Sequence, residues 1–548
     1  MDRVSQFLKG IVPGLQVVVS DDLCQRQVLQ NLKQQLDSRL LVLGACPQVR
    51  QAPYLWEEAD DTTSYSYTTV VVDLLAETSA TFGGDVATER AKLLLLSGVK
   101  RMGAFDGIRP DNLKVCLSIP RYKVSRRQFL TAALPRYEIV PCIDHSRCRG
   151  ADKCGLCQGI CPANAITFAQ EMIAINADRC SGCGACLAYC PYNALYYPTF
   201  SFVELENALA GLLSGRCITL EPRIIAFTCE TCLSAFDGGS GSVVTYPANV
   251  LPFKIPCLAM VSPWLMLRAF DTGCQGLALI SGQGKCQREA NDAVWEASVE
   301  FVKALFDNWR IGSGRVRLFR ASGDNLSEVA EGLTQFADKI ARLAPTQFRT
   351  AELVQPLEGV LPLPALVKDM GRRIGGSFSG AISTGLVPFG KLSLDSSKCT
   401  GCSLCVASCP TDALVWVASE EGAGHQLLFK QDVCVGCGKC AGICPEKSLR
   451  LQRVLELDRI CAGVFELFSD DMLNCRRCGE PVAPMSMVGH LKDKLRDSGD
   501  VLLGQLELCS RCKTETQRYR IDSKAVEPRD DVGMVYLTSD QAGQERSV

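Results

Sequence analysis

Two stretches of the chain alternate short apolar runs with amphipathic stripes. In residues 1–140, strand-like runs fall at Leu15 to Ser20, Leu40 to Leu43 and Val70 to Leu74. Helical periodicity falls at Gln25 to Gln35 and at Thr88 to Val99, where Ala91, Leu94, Leu95 and Val99 share one stripe. In residues 201–345, Ile224 to Phe227, Phe253 to Ile255, Leu277 to Ile280 and Val316 to Phe319 read as strands. Helices are expected from about Arg288 to Asn308, with Val294, Phe301, Val302, Leu305 and Phe306 on one face, and from Ser327 to Leu343. Alternating strand and helix predicts a parallel sheet. Ligand groups should then gather beyond the carboxyl ends of its strands.

Elsewhere this pattern lapses. Pro345, Pro356, Pro362 and Pro364, followed by Gly375-Gly376-Ser377-Phe378-Ser379-Gly380, predict a linker over 346–390, extended first and flexible after. Residues 521–548 are charged and expected to be loosely ordered. In 141–200 and 391–455 the apolar runs are short, and cysteines set the rhythm.

That rhythm repeats. The first copy reads Cys148-x5-Cys154-x2-Cys157-x3-Cys161-Pro162, then Cys180-x2-Cys183-x2-Cys186-x3-Cys190-Pro191. The second reads Cys399-x2-Cys402-x2-Cys405-x3-Cys409-Pro410, then Cys434-x2-Cys437-x2-Cys440-x3-Cys444-Pro445. The residues after each Pro also repeat: Ala163-Asn164-Ala165-Ile166, Tyr192-Asn193-Ala194-Leu195, Thr411-Asp412-Ala413-Leu414 and Glu446-Lys447-Ser448-Leu449. Two-residue gaps let three thiolates of one tight loop reach three corners of one cubane, and Pro ends the loop with a fixed backbone angle. Zinc sites and disulfides do not usually present three close cysteines plus a distant fourth. The five-residue gap after Cys148 departs from the pattern and leaves Cys142 and His145 as rivals for its role.

This spacing closely resembles the two-cluster bacterial ferredoxin. The resemblance implies two 2[4Fe–4S] modules in which three cysteines of a run hold one cluster and the fourth crosses to the other. The ligand sets would be Cys148, Cys154, Cys157 and Cys190; Cys161, Cys180, Cys183 and Cys186; Cys399, Cys402, Cys405 and Cys444; and Cys409, Cys434, Cys437 and Cys440.

At 548 residues the chain should hold several domains. A formal charge of −2 without a basic block gives no reason to expect nucleic acid or an anionic membrane. No apolar run approaches the ~20 residues of a membrane span, and Met1 to Gly10 lacks a signal-peptide core. Ser125-Arg126-Arg127-Gln128-Phe129-Leu130 looks like a twin-arginine export signal, but it is internal and the apolar stretch after it is too short. Most of the 31 cysteines stand in metal-ligand spacings, so the thiols are expected to be reduced. That places the chain in the cytoplasm of an anaerobic or facultative organism.

The middle stretch carries a second resemblance. A strand enters Cys229-Glu230-Thr231-Cys232, Tyr246-Pro247 follows, a strand enters Pro256-Cys257, and Gly284-Lys285-Cys286 forms a turn. These features resemble the delta subunit of methyl-viologen-reducing hydrogenase (MvhD/FlpD). The resemblance implies a [2Fe–2S] cluster on Cys229, Cys232, Cys257 and Cys286, with zinc as the alternative on the same residues. Ser281 stands where that family has a further cysteine, and Cys217 and Cys274 are expected to be packing residues. At the N-terminus, Cys24 and the turn Ala45-Cys46-Pro47 weakly resemble the flavoprotein subunit of heterodisulfide reductase (HdrA). That family's upstream cysteine pair is missing, and Cys24, Cys46 and Cys116 are expected to be free thiols. No G-x-G-x-x-G turn joins a strand to a helix, so no flavin is expected in this chain.

In 456–520, Cys475-x2-Cys478 and Cys509-x2-Cys512 have the form of zinc-ribbon knuckles, with rubredoxin-like iron as the rival. The fold class is therefore multidomain α/β and α+β: two ferredoxin-like modules flank a parallel-sheet domain, with a zinc-ribbon-like module near the end. The three histidines, His145, His425 and His490, stand in no catalytic motif. The expected function is electron transfer within an anaerobic oxidoreductase complex of heterodisulfide-reductase or hydrogenase-delta type. Its partners would be an HdrA-like flavoprotein, a hydrogenase or dehydrogenase and a ferredoxin. The alternative is a free-standing redox sensor or assembly protein using the ribbon for interactions.

Overall fold

The computed structural model describes residues 2–12, 15, 41–45, 69–73, 84–104 and 113–117, then, with interruptions, 135–348, 363–496 and 500–516. Cys24, Cys46, Cys217, Cys232, Cys286, the internal Arg126-Arg127 pair, the helix expected at Gln25 to Gln35, the strand expected at Leu15 to Ser20 and the residues after 520 lie outside the described set. Two compact units are present. One comprises residues 1–394, 404–415 and 428–465, the other residues 395–403, 416–427 and 466–548.

The first unit is built around the parallel sheet that the alternation predicts. Its strand order is Val250–Ile255, Ile224–Cys229, Gly276–Gly282, Val316–Ala321, with every neighbour parallel. All six residues of Ile224–Cys229 are buried, as a strand covered on both faces requires. Helices Pro263–Thr272, Asp292–Asn308 and Leu326–Arg342 supply the cover. The first of these is well delimited. Ser262 accepts from the Leu265 N–H at 3.2 Å, Pro263 opens the helix, and Gly273 closes it at φ 118°.

Towards the N-terminus, Leu41–Ala45 and Thr69–Asp73 form a parallel pair, and Leu113–Leu117, which contains Cys116, pairs antiparallel with Pro135–Ile139. The stripe at Thr88 to Val99 lies inside the Gly84–Gly103 helix. That helix packs on the Phe202–Leu212 helix so closely that a Cβ on Gly211 would come within 2.4 Å of Ser97 Cα. Arg90 on the same helix is buried and donates to the carbonyls of Ala248 and Val250 and to the Tyr246 hydroxyl. It thus joins the N-terminal helix to the edge strand of the sheet.

The expected linker needs correction. Leu363–Arg373 is a helix with Leu363, Leu366, Val367 and Met370 buried. Those residues follow the i, i+3, i+4, i+7 stripe, which Pro362 and Pro364 disguise as a broken strand. Pro364 sits in the first helical turn, where a missing N–H costs nothing. The glycines beyond are not a flexible spacer either. Gly376 lies so close to Trp309 that a Cβ on it would stand only 2.7 Å from the indole ring. The chain then enters the strand Ala381–Ser383, paired with Val454–Glu456.

In the second unit, part of the long Val464–Asn474 strand pairs with Pro481–Pro484 and leads to the Met485–Lys494 helix. Trp416 stacks between His425 and Phe468, with ring centroids 5.9 and 6.4 Å away.

Candidate metal centres

Each cysteine run folds as a loop followed by one helical turn. The turns are Leu156–Ile160, Ala185–Tyr189, Leu404–Ala407 and Lys439–Ile443. The residue before each turn is left-handed: Gly155, Gly184 and Gly438 at φ 74°, 73° and 78°, and Ser403 at 57°. This reversal stands between the second and third cysteines of each run. Glycine accepts the conformation freely, while Ser403 holds it at a cost.

A second left-handed residue follows every Pro. Asn164, Asn193, Asp412 and Lys447 have φ of 46°, 47°, 52° and 49°. The kink sends the next N–H back to the fourth cysteine of the run. Ala165, Ala194, Ala413 and Ser448 donate to the sulfurs of Cys161, Cys190, Cys409 and Cys444 at 3.3, 3.2, 3.3 and 3.4 Å. Backbone donors of this kind favour thiolate and steady a ligand sulfur.

In the first module the cysteines come together across runs. Burial pushes Cys154 and Cys157 up to about 12, with the nearby charges of Cys190 and Cys148 adding to it. Burial also raises Cys186 strongly, and Cys183, Cys180 and Cys161 add to that. Cys161 of the first run lines one pocket with Cys180, Cys183 and Cys186 of the second. This small pocket, of about 20 Å³, is walled by Pro162, Ile166 and Ile175. Cys148 and Cys190 lie within electrostatic reach of Cys154 and Cys157, while Cys142 lies in a strand pair with Tyr196 and His145 is exposed.

In the second module, Cys409 stands with Cys434, Cys437 and Cys440; burial first and the neighbouring sulfurs second push Cys434 and Cys440 up to about 12. Such sets are poor as bare thiolates, because like charges would share a dry site. They suit a cluster, whose iron charge offsets four thiolates at once. Cys405 and Cys444 belong to the first unit, Cys399 and Cys402 to the second.

In the sheet domain, Cys229 ends one strand and Cys257 lies two residues past its parallel neighbour, with Ile255 opposite Cys229. Both are buried at the carboxyl edge where ligand groups were expected. Ser281, at the end of the next strand, directs its hydroxyl to the Phe319 carbonyl. Cys274 is fully buried, donates to the Gly276 carbonyl at 2.7 Å, and is pushed up to about 12 by burial, as a packing thiol should be.

In the second unit, the sulfurs of Cys475, Cys478, Cys509 and Cys512 all lie within 4.8 Å of one another. The Cys509 N–H is the largest influence drawing the Cys475 thiol down to about 6, so it is ready to ligate a cation. One knuckle sits on the hairpin. The other opens a helical segment at 510–516 instead of a second hairpin.

Residues 224–344 match the family model for the delta subunit of methyl-viologen-reducing hydrogenase. Residues 398–448 match a 4Fe-4S dicluster domain, and residues 145–199 match the LdpA Fe-S cluster-binding domain. Similar curated proteins include the D-type iron-sulfur subunit of the vhu F420-non-reducing hydrogenase from Methanococcus voltae, 27% identical over 131 residues, which are 24% of this chain and 98% of the relative. Its counterpart in Methanocaldococcus jannaschii is 27% identical over 132 residues, again 24% of this chain and 98% of the relative. The D-type iron-sulfur subunit of the F420-non-reducing hydrogenase from Archaeoglobus profundus is 28% identical over 131 residues, 23% of this chain and 95% of the relative. The relatives thus match almost whole, within about a quarter of this chain. The delta-subunit-like domain carries Cys229 and Cys257, and stretches that match iron-sulfur cluster-binding domains lie on both sides of it in the sequence.

Pattern reasoning missed the left-handed Ser403 and Lys447, whose signal was their alignment with Gly155 and Asn164. It also missed Tyr192, the one aromatic among the four residues that follow the prolines.

Proposed function

We propose that this chain is the electron-transfer subunit of a hydrogenase-type oxidoreductase complex, carrying four [4Fe–4S] clusters, a [2Fe–2S] cluster and one zinc. The observation that carries this is the delta-subunit-like domain standing between two iron-sulfur cluster-binding modules in a single chain. Iron–sulfur clusters supply one-electron chemistry, at potentials set by burial, charge and hydrogen bonds to sulfur. The chain's own part is to hold and insulate them. Cys148, Cys154, Cys157 and Cys190 would hold one cubane, and Cys161, Cys180, Cys183 and Cys186 the second. Cys399, Cys402, Cys405 and Cys444 would hold the third, and Cys409, Cys434, Cys437 and Cys440 the fourth. Cys229, Cys232, Cys257 and Cys286 would hold the [2Fe–2S] cluster. The N–H donors of Ala165, Ala194, Ala413 and Ser448 would raise the potential of the cluster each faces, by stabilising its more negative state.

Cys475, Cys478, Cys509 and Cys512 form a closed four-sulfur set of the kind that holds structural zinc. A partner flavoprotein of the HdrA kind, a hydrogenase or dehydrogenase, and a ferredoxin are the proposed exchange partners, in the cytoplasm of an anaerobe. Among the described residues, no helix is long and apolar enough to cross a membrane.

The test is metal and acid-labile sulfide analysis with EPR on anaerobically reconstituted protein. Sixteen ferredoxin cysteines at four per cubane, plus the sheet-domain set, predict about eighteen iron per chain. Fewer than about eight would rule out the four-cubane assignment.

A further inference from the structure

The two ferredoxin-type modules are separated in sequence by the whole delta-like domain, yet they touch. Tyr192, two residues after Cys190, donates its hydroxyl to the carbonyl of Pro410, the residue after Cys409, at 2.5 Å. The Arg149 guanidinium, next to Cys148, lies over the Tyr192 ring at 5.7 Å. Each of the three residues in this contact is thus one or two positions from a cysteine of the proposed ligand sets. The pairing is specific to Tyr192: Ala163, Thr411 and Glu446, its counterparts in the other runs, have no aromatic ring.

The first module also packs on the delta-like domain. Cys183 and Cys257 share one small apolar cluster with Ala185, Tyr189, Ala259 and Val294. Gly184 is approached so closely by Met260 that a Cβ there would lie 2.3 Å from Met260 Cγ.

We propose that four of the metal-binding sets form one series, and that Tyr192 is the positioning residue at the junction between the two modules. The series runs from the Cys229 and Cys257 edge to the Cys161, Cys180, Cys183 and Cys186 set. It continues to Cys148, Cys154, Cys157 and Cys190, and crosses at Tyr192 and Pro410 to Cys409, Cys434, Cys437 and Cys440. This rests on reading those sets as cluster ligands. The first module is then the middle of the path, with the delta-like domain and the second module at its two ends.

The experiment uses the full-length chain, reconstituted anaerobically, with iron counted and EPR relaxation recorded during stepwise reduction. Wild type should show a spin–spin feature coupling the two modules, and Cys437→Ser, which removes a ligand on the far side of the junction, should abolish it. Tyr192→Ala should lose the same feature while keeping wild-type iron content and cubane signals, which a merely structural residue would not do. Should Tyr192→Ala fail to hold iron, Tyr192→Phe serves in its place. It keeps the ring under Arg149 and loses only the bond to Pro410, and the coupling should weaken. Unchanged coupling in the iron-replete Tyr192 variant, or a feature that survives Cys437→Ser, would overturn the junction. Wild type that never takes up iron would instead sink the cluster reading beneath it.

Discussion

Residue by residue, the cysteine sites depend on backbone that turns left-handed three times per run. Glycine or asparagine serves at most of these places. Ser403 and Lys447 do not suit theirs, since an L-residue with a Cβ is held there at roughly 1–2 kcal/mol. Ser403→Gly and Lys447→Asn should each stabilise the second module by about 0.5 kcal/mol, seen as a higher midpoint for thermal bleaching of the cluster absorbance. The crossing of ligands gives a sharper expectation. Cys161→Ser should damage the cluster of Cys180, Cys183 and Cys186 and spare that of Cys148, Cys154 and Cys157, while Cys190→Ser should do the reverse. Variants that each damage only the cluster of their own run would show sequential sites and refute the ferredoxin arrangement. The cysteines were legible in the sequence because a cubane dictates their spacing. Tyr192 was not, because its partner, the Pro410 carbonyl, is main chain and leaves no mark in the side-chain pattern.

Among the elements, the sheet domain was the most readable part. Its two central strands, Ile224–Cys229 and Gly276–Gly282, are buried on both faces and appear as largely apolar runs, and the helices between the strands keep clean stripes. The Leu363–Arg373 helix was hidden because two prolines flank its first buried residue, and Pro looks the same at a helix start as in a break. The junction of the Gly84–Gly103 and Phe202–Leu212 helices depends on a shape that no periodicity records. Gly211→Ala would place a methyl group against the Ser97 backbone, which cannot swing aside as a side chain does. The expected cost is about 2 kcal/mol, with faster amide exchange along both helices. Unchanged exchange there would mean the helices separate freely and the close approach is incidental.

For the molecule as a whole, the cysteines fall into sets of different form, the ferredoxin-type runs and the closed four-sulfur set of Cys475, Cys478, Cys509 and Cys512. Within that closed set Cys475 is drawn down to about 6, chiefly by the Cys509 N–H, while Cys512 is raised to about 12. Zinc uptake there should proceed at neutral pH with proton release. Cys478→Ser should release one zinc and destabilise residues 470–515, leaving the cubane EPR signals in place. Iron lost from that site, with zinc absent throughout, would make it rubredoxin-like. Net charge and composition gave none of this partition. It rests on which cysteines the fold gathers.

The bond between Tyr192 and Pro410 spans 218 positions of sequence. During synthesis the first module leaves the ribosome before its neighbour exists, so until the second module is made its Tyr192 has no Pro410 carbonyl to meet. Closing a loop of that length costs roughly 5 kcal/mol in chain entropy, plus a constant, more than one hydrogen bond returns. The sheet domain between the modules has to supply the difference by fixing both ends. Assembly therefore has a direction: the first module, then the sheet, then the second module docking onto a surface already in place. A chain interrupted after residue 345 would carry a loaded first module with its outward side exposed to oxygen.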